Sequence, residues 1–189
     1  MRKLLPRLAK NKGILLGSIL VFPILSIMVY SSFPHTSKQA IEKLFPNKKA
    51  LPIYIIYSPT CPHCENLINT LKEKGINVYL ISIYDVNRVN LPIEVRSKLE
   101  GVPLVFAKVN GTFLYIVGYP AKVQENNGYF ESKKYEENYC KSINGKPYYE
   151  NRTYKFCWQS NNTILGNEYA IEWLVAQCEK GYCSYINLS

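Results

Sequence analysis

The stretch Ile53-Tyr54-Ile55-Ile56-Tyr57-Ser58-Pro59-Thr60-Cys61-Pro62-His63-Cys64 decides how this chain is read. Its first five residues form a near-continuous β-branched and aromatic run, the pattern of a buried central strand. Ser58-Pro59-Thr60 breaks that run. A helical pattern then starts at Cys61 and continues through Lys74, with Leu67, Ile68 and Leu71 on one face and Gly75 as a stop. The two cysteines therefore sit at a strand-to-helix junction. Unpaired N–H groups and the helix dipole at such a junction favour negative charge on the first sulfur, so the Cys61 thiolate becomes a nucleophile. Cys64 lies one turn further on, close enough to form a disulfide with Cys61 or to resolve a mixed one. Pro62 suits a first helical turn, where its missing N–H is not needed. His63 is placed to add charge or a hydrogen bond near the Cys61 sulfur. Extra stabilisation there favours the reduced pair and makes the disulfide form the stronger oxidant.

Working outward, residues 77–84 predict a second strand and residues 92–100 a helix ending at Gly101. Residues 102–109 predict a third strand. Asn110-Gly111 is a strong type I′ hairpin signal leading into a fourth strand over 112–117, closed by Gly118. Two strands joined through a helix imply a parallel pair with a right-handed crossover, and the last two strands are antiparallel. Residues 119–166 show weak periodicity and many tyrosines and asparagines, and read as an insertion tied by cysteines. Residues 167–180 are helical again, with Ile171, Leu174, Val175 and Cys178 on one face and Gly181 as the stop.

Several of these features together resemble the thioredoxin superfamily. They are the Cys-x-x-Cys at its junction, Gly101-Val102-Pro103 before the third strand, the Asn110-Gly111 hairpin, and Gly118. Cys61-Pro62-His63-Cys64 is similar to the active-site motif of DsbA-type oxidases. The resemblance covers roughly residues 50–118, with 167–180 as a final helix. It implies an α/β, thioredoxin-like fold, with a central four-stranded mixed sheet flanked by helices. It also implies that Pro103 is cis, opposite the active-site pair, and that the Val102 backbone pairs with a substrate peptide. Two departures stand out. Many relatives carry a buried acid six positions before the first cysteine, and here that position is Ile55. The DsbA-type helical insertion is also missing, the extra material lying between the fourth strand and the last helix.

The chain holds 6 cysteines. A zinc reading of Cys61 and Cys64 needs two more ligands, and only His35 and the distant late cysteines remain, so no metal is expected. Cys140, Cys157, Cys178 and Cys183 lie late in the chain and allow three connectivities. Proximity favours structural bridges Cys140–Cys157 and Cys178–Cys183, with Cys178/Cys183 as a second exchange pair in the alternative.

The net charge of +9 is unevenly placed. Arg2, Lys3, Arg7, Lys10 and Lys12 precede the first acidic residue, Glu42. Residues 13–33 carry no charge, enough for the roughly 20 residues of a bilayer-crossing helix. The expectation is a basic cytoplasmic N-terminus over 1–12, a transmembrane signal-anchor over 13–33, a linker over 34–49 and an extracytoplasmic domain over 50–189. A cleaved signal peptide is the competing reading and leaves the domain on the same side. No basic cluster interleaved with aromatics suggests a nucleic-acid groove.

The functional expectation is a single-pass membrane thiol–disulfide oxidoreductase acting on exported proteins, preferably as an oxidase and with no bound cofactor. Its partners would be protein thiols or disulfides and a membrane redox protein, either a DsbB- or VKOR-like quinone-linked oxidase or a thiol donor. A reductase or isomerase, or a non-enzymatic binding or assembly module at the membrane, is the alternative.

Overall fold

The run from Ile53 to Tyr57 becomes a central strand because it has a neighbour on each edge and a packed layer on each face. The computed structural model describes residues 40–120 and 136–188. In chain order the strands are β1 (Ile41–Lys43), β2 (Ile53–Tyr57), β3 (Tyr79–Ser82), β4 (Leu104–Val109), β5 (Thr112–Val117), β6 (Lys146–Glu150), β7 (Thr153–Ser160), β8 (Thr163–Leu165) and β9 (Cys183–Ser184). The helices are α1 (Pro62–Glu73), α2 (Ile93–Arg96), α3 (Glu137–Ser142) and α4 (Glu168–Glu179), with a 3-10 turn over Ile83–Arg88.

All nine strands join one mixed sheet, in the order β1-β3-β2-β4-β5-β8-β7-β6, with β9 added against β4. β2 runs parallel to β3 through Tyr54↔Tyr79 and antiparallel to β4 through Ile55↔Val105. Asn110 and Gly111 both have positive φ, at 48° and 82°, as a type I′ hairpin between β4 and β5 requires. Strand alternation then divides the core. Ile53, Ile55, Val105 and Ile116 face Leu67 and Leu71 of α1 and Ile171 and Leu174 of α4. Tyr54, Ile56, Leu104, Phe106 and Tyr115 face the opposite way, onto Val95 of α2 and Leu188 of the C-terminal tail. Lys74, just past α1, reaches Glu168 and Glu172 of α4 at 2.8 and 2.7 Å and ties the two helices on that face.

The expected four-stranded thioredoxin-like sheet is corrected by this topology. The four strands read from the sequence lie in the middle, but five more extend the sheet. On one side β1 pairs antiparallel with β3, so residues 41–43 belong to the sheet although 34–49 read as a linker. Buried Asn77 secures this segment. Its Oδ1 accepts from the Phe45 N–H at 2.7 Å, and its Nδ2 donates to the carbonyls of Phe45 and Lys48. On the other side the segment read as an insertion supplies β8, β7 and β6, with β8 parallel to β5 through Ile116↔Ile164. The additions were hard to read because β1 and β9 are very short. The pairings of β6–β7 and β7–β8 also shift register, between Tyr148 and Tyr149 and between Trp158 and Ser160, which breaks a period-two pattern.

Two local expectations also change, one helix and one strand. The helix expected over 92–100 is α2 alone, after which Lys98 and Leu99 donate to the carbonyls of Val95 and Arg96 in tighter turns. The second strand stops at Ser82, whose hydroxyl accepts from the Tyr84 N–H and starts the 3-10 turn. The transmembrane helix expected over 13–33 lies outside the described residues. Among the described residues no helix is long and apolar enough to cross a membrane.

Candidate active site

Cys61 is the residue that caps α1. Its backbone is extended (φ −94°, ψ 115°), and its sulfur accepts the Cys64 N–H at 3.3 Å. Pro62 occupies the first helical turn, where no N–H partner is needed. The cap arises because Ser58 turns the chain out of β2 and accepts the Cys61 N–H at 3.2 Å. The Cys61 sulfur is thereby aimed at the loop before β4. It donates to the Val102 carbonyl at 3.7 Å, and the Val102–Pro103 peptide is cis. Pro103 is buried, and its carbonyl accepts from the Gly118 N–H, so the loop is anchored to the end of β5.

The two thiols differ. Cys61 is partly exposed, whereas Cys64 is 1% exposed. Burial pushes the Cys64 thiol up to about 12, with a further upward push from its hydrogen bond to Cys61, while a backbone hydrogen bond at Ser58 acts the other way. Ile55, where an acid would sit in the resembled pattern, is buried in the apolar core.

His63 reaches toward the segment after β5. Its Nδ1 lies 2.6 Å from the Tyr119 carbonyl, and since a carbonyl only accepts, the ring donates from Nδ1. Asn66 donates to the Pro120 carbonyl at 2.7 Å. Buried Tyr119 places its hydroxyl 3.4 Å from Thr70 Oγ1. One flank of α1 is thus fastened to residues 119–120. Nothing in the local sequence pattern announced this, because polar residues along a helix ordinarily mark its solvated side.

The late cysteines are bonded as Cys140–Cys157 and Cys178–Cys183, which leaves Cys61 and Cys64 as the free thiols. Among the described residues no cluster of His, Cys, Asp and Glu is arranged to hold a metal ion. An open cleft of about 630 Å³ runs from Gly101, Val102 and Pro103 to the β7–β8 region. Arg96 donates to the carbonyls of Val89 and Leu91 and braces the turn before α2.

No family model matches the chain, and neither the curated proteins nor the solved structures yield a significant match.

Proposed function

We propose that the chain is a protein thiol–disulfide oxidoreductase working through Cys61 and Cys64, in the oxidase direction. The observation that carries this reading is the asymmetry of the two sulfurs. Cys61 is accessible, caps a helix and receives an N–H hydrogen bond, while Cys64 is buried and held as a neutral thiol. The first is suited to exchange with an outside sulfur and the second to closing the bond from within. The Cys64 N–H stabilises charge on Cys61 more strongly than it would a disulfide sulfur, which favours the reduced pair and supports disulfide donation. Two bridges elsewhere in the domain support an oxidising compartment.

In the oxidase direction a client thiolate attacks Cys61 of the enzyme disulfide. A Cys61–client bond forms, and Cys64 leaves with the electron pair and takes a proton. A second client thiolate then attacks the client sulfur of that mixed disulfide and releases Cys61. The client loses two electrons and the enzyme pair gains them. Regeneration falls to a quinone-linked membrane dithiol oxidase as redox partner.

The test is equilibration of the full chain in glutathione redox buffers, with acid quenching, alkylation and mass measurement of the peptide carrying Cys61 and Cys64. A potential near about −120 mV identifies a disulfide donor. A value near about −270 mV reverses the direction to reductase. A pair that never exchanges removes the enzymatic reading.

A further inference from the structure

Three β-hairpins lie among the described residues, β4–β5, β6–β7 and β7–β8, and each turns on an Asn-x-Thr triplet. The triplets are Asn110-Gly111-Thr112, Asn151-Arg152-Thr153 and Asn161-Asn162-Thr163. Turn geometry accounts for the asparagines. Val109 pairs with Thr112 and Glu150 with Thr153, so the first two loops are tight. Asn110 and Asn151 have φ of 48° and 49°, the left-handed region that a type I′ turn demands and asparagine tolerates. That geometry does not require a hydroxyl two residues later. The Asn144-Gly145-Lys146 turn before β6 has the same left-handed asparagine, with φ 56°, and no hydroxyl at its third position.

Asparagine followed two residues on by a hydroxyl residue is the acceptor pattern for N-glycosylation of exported chains, and a bulky, solubilising glycan belongs on the surface. The fold sorts the triplets. All residues of Asn110-Gly111-Thr112 and Asn151-Arg152-Thr153 are exposed. The amides of Asn110 and Asn151 have no side-chain partner among the described residues. Asn161-Asn162-Thr163 differs. Thr163 is 4% exposed and its hydroxyl donates to Asn162 Oδ1 at 3.3 Å, while Asn161 lines a cleft with Trp158 and Lys146. A fourth triplet, Asn187-Leu188-Ser189, ends outside the described residues. Two triplets therefore stand clear of the fold.

Resting on the extracytoplasmic placement that goes with the redox reading, we propose that Asn110 and Asn151 are N-glycosylation sites. The Asn Nδ2 bonds to C1 of the first sugar of a glycan carried on a polyprenyl diphosphate. The bond from that carbon to the phosphate oxygen breaks, the polyprenyl diphosphate leaves with the electron pair, and the amide gives up a proton. Nothing is oxidised or reduced. Both positions suit a bulky group. β4 leads away from the Val102–Pro103 loop beside Cys61, and its 6 residues at strand rise put the Asn110 tip about 20 Å from that loop. Asn151 follows β6, the outermost strand on its side of the sheet, where a glycan blocks pairing with the edge of another sheet.

The test maps peptides by mass from the full chain, recovered from the membranes of its own cells. The peptides carrying Asn110 and Asn151 gain a hexose-containing mass, and the Asn144 peptide stays bare. Thr112→Ala strips the sugar from Asn110 alone and Thr153→Ala strips it from Asn151 alone, although each asparagine and its turn remain. Sugar that survives both substitutions overturns the assignment. In parallel, a membrane-impermeant amine reagent is added to intact cells and labelling of exposed Lys72 and Lys180 is read. Bare Asn110 and Asn151 peptides from a labelled domain overturn the glycosylation sites and leave the exported placement and the redox reading standing. Bare peptides from an unlabelled domain overturn the exported placement as well.

Discussion

Two cysteine pairs near the cleft have opposite character, one beside Val102 and one beside Tyr139. Cys61 and Cys64 lie three residues apart at the start of α1, with one sulfur accessible and the other buried. Cys140 and Cys157 lie 17 residues apart between α3 and β7, bonded and almost fully buried. Gly145 packs so tightly on the bridge that a Cβ there would lie 2.4 Å from the Cys157 sulfur. The same atom type is thus set to exchange in one place and to hold in the other. The difference lies in the backbone around it. A helix N-terminus offers N–H groups and access to solvent, whereas a bridge closed over by a hairpin offers neither.

That comparison breaks first if exchange survives without Cys61. Cys61→Ser abolishes disulfide exchange with glutathione yet keeps the fold, because serine also caps helices well. Residual exchange, followed by mass spectrometry, would mean that Cys64 or a bridge cysteine is the working sulfur. Next comes Gly166→Ala, which forces backbone against backbone at Gly118. It costs about 3 kcal/mol or more in urea unfolding, as overpacking does where nothing can yield.

Removing the bridges tests the holding role. Replacing Cys140 and Cys157 together with alanine costs about 3 kcal/mol, and doing the same to Cys178 and Cys183, only five residues apart, about 2 kcal/mol. Exchange with glutathione at Cys61 persists in both double variants. Its loss in either would show that the bridges take part in the chemistry.

The pH dependence sharpens the contrast between the two active-site sulfurs. Once Cys61 carries glutathione, its influence on Cys64 changes, but burial, the leading cause, remains. The Cys64 thiol is protonated below its raised range, so its thiolate fraction grows with pH. Closure of the mixed disulfide therefore accelerates roughly ten-fold per pH unit between about pH 7 and 9. A flat profile in stopped-flow measurements would mean that Cys64 is not held as a buried thiol. The smallest effect is expected for Asn66→Ala, which releases Pro120 and costs about 1 kcal/mol.

Legibility varied along the chain for physical reasons. β2, α1, the β4–β5 hairpin and α4 were visible because each carries a local signature: a hydrophobic run, a breaker before a helical face, an Asn-Gly turn, or an apolar stripe ended by glycine. Asn167, just before α4, accepts the Ala170 N–H and acts as the cap its residue type favours. β6 and β7 carry register shifts and partly exposed tyrosines, and β8 is only three residues long, so they read as irregular. The site was legible as a motif, but the Tyr119–Pro120 attachment of α1 joins residues far apart in the chain.

By itself, the sequence determined where a thiol would stand at a helix start, which residues would turn the chain, and which faces would be apolar. These are properties of a few consecutive dihedral angles and side chains. The tertiary structure alone decided that Cys64 is buried, that the Cys61 sulfur faces Val102, and that the segment after β5 widens the sheet and walls a cleft. Strand pairing and burial depend on partners far away in the chain, and a weak local pattern leaves that choice to packing.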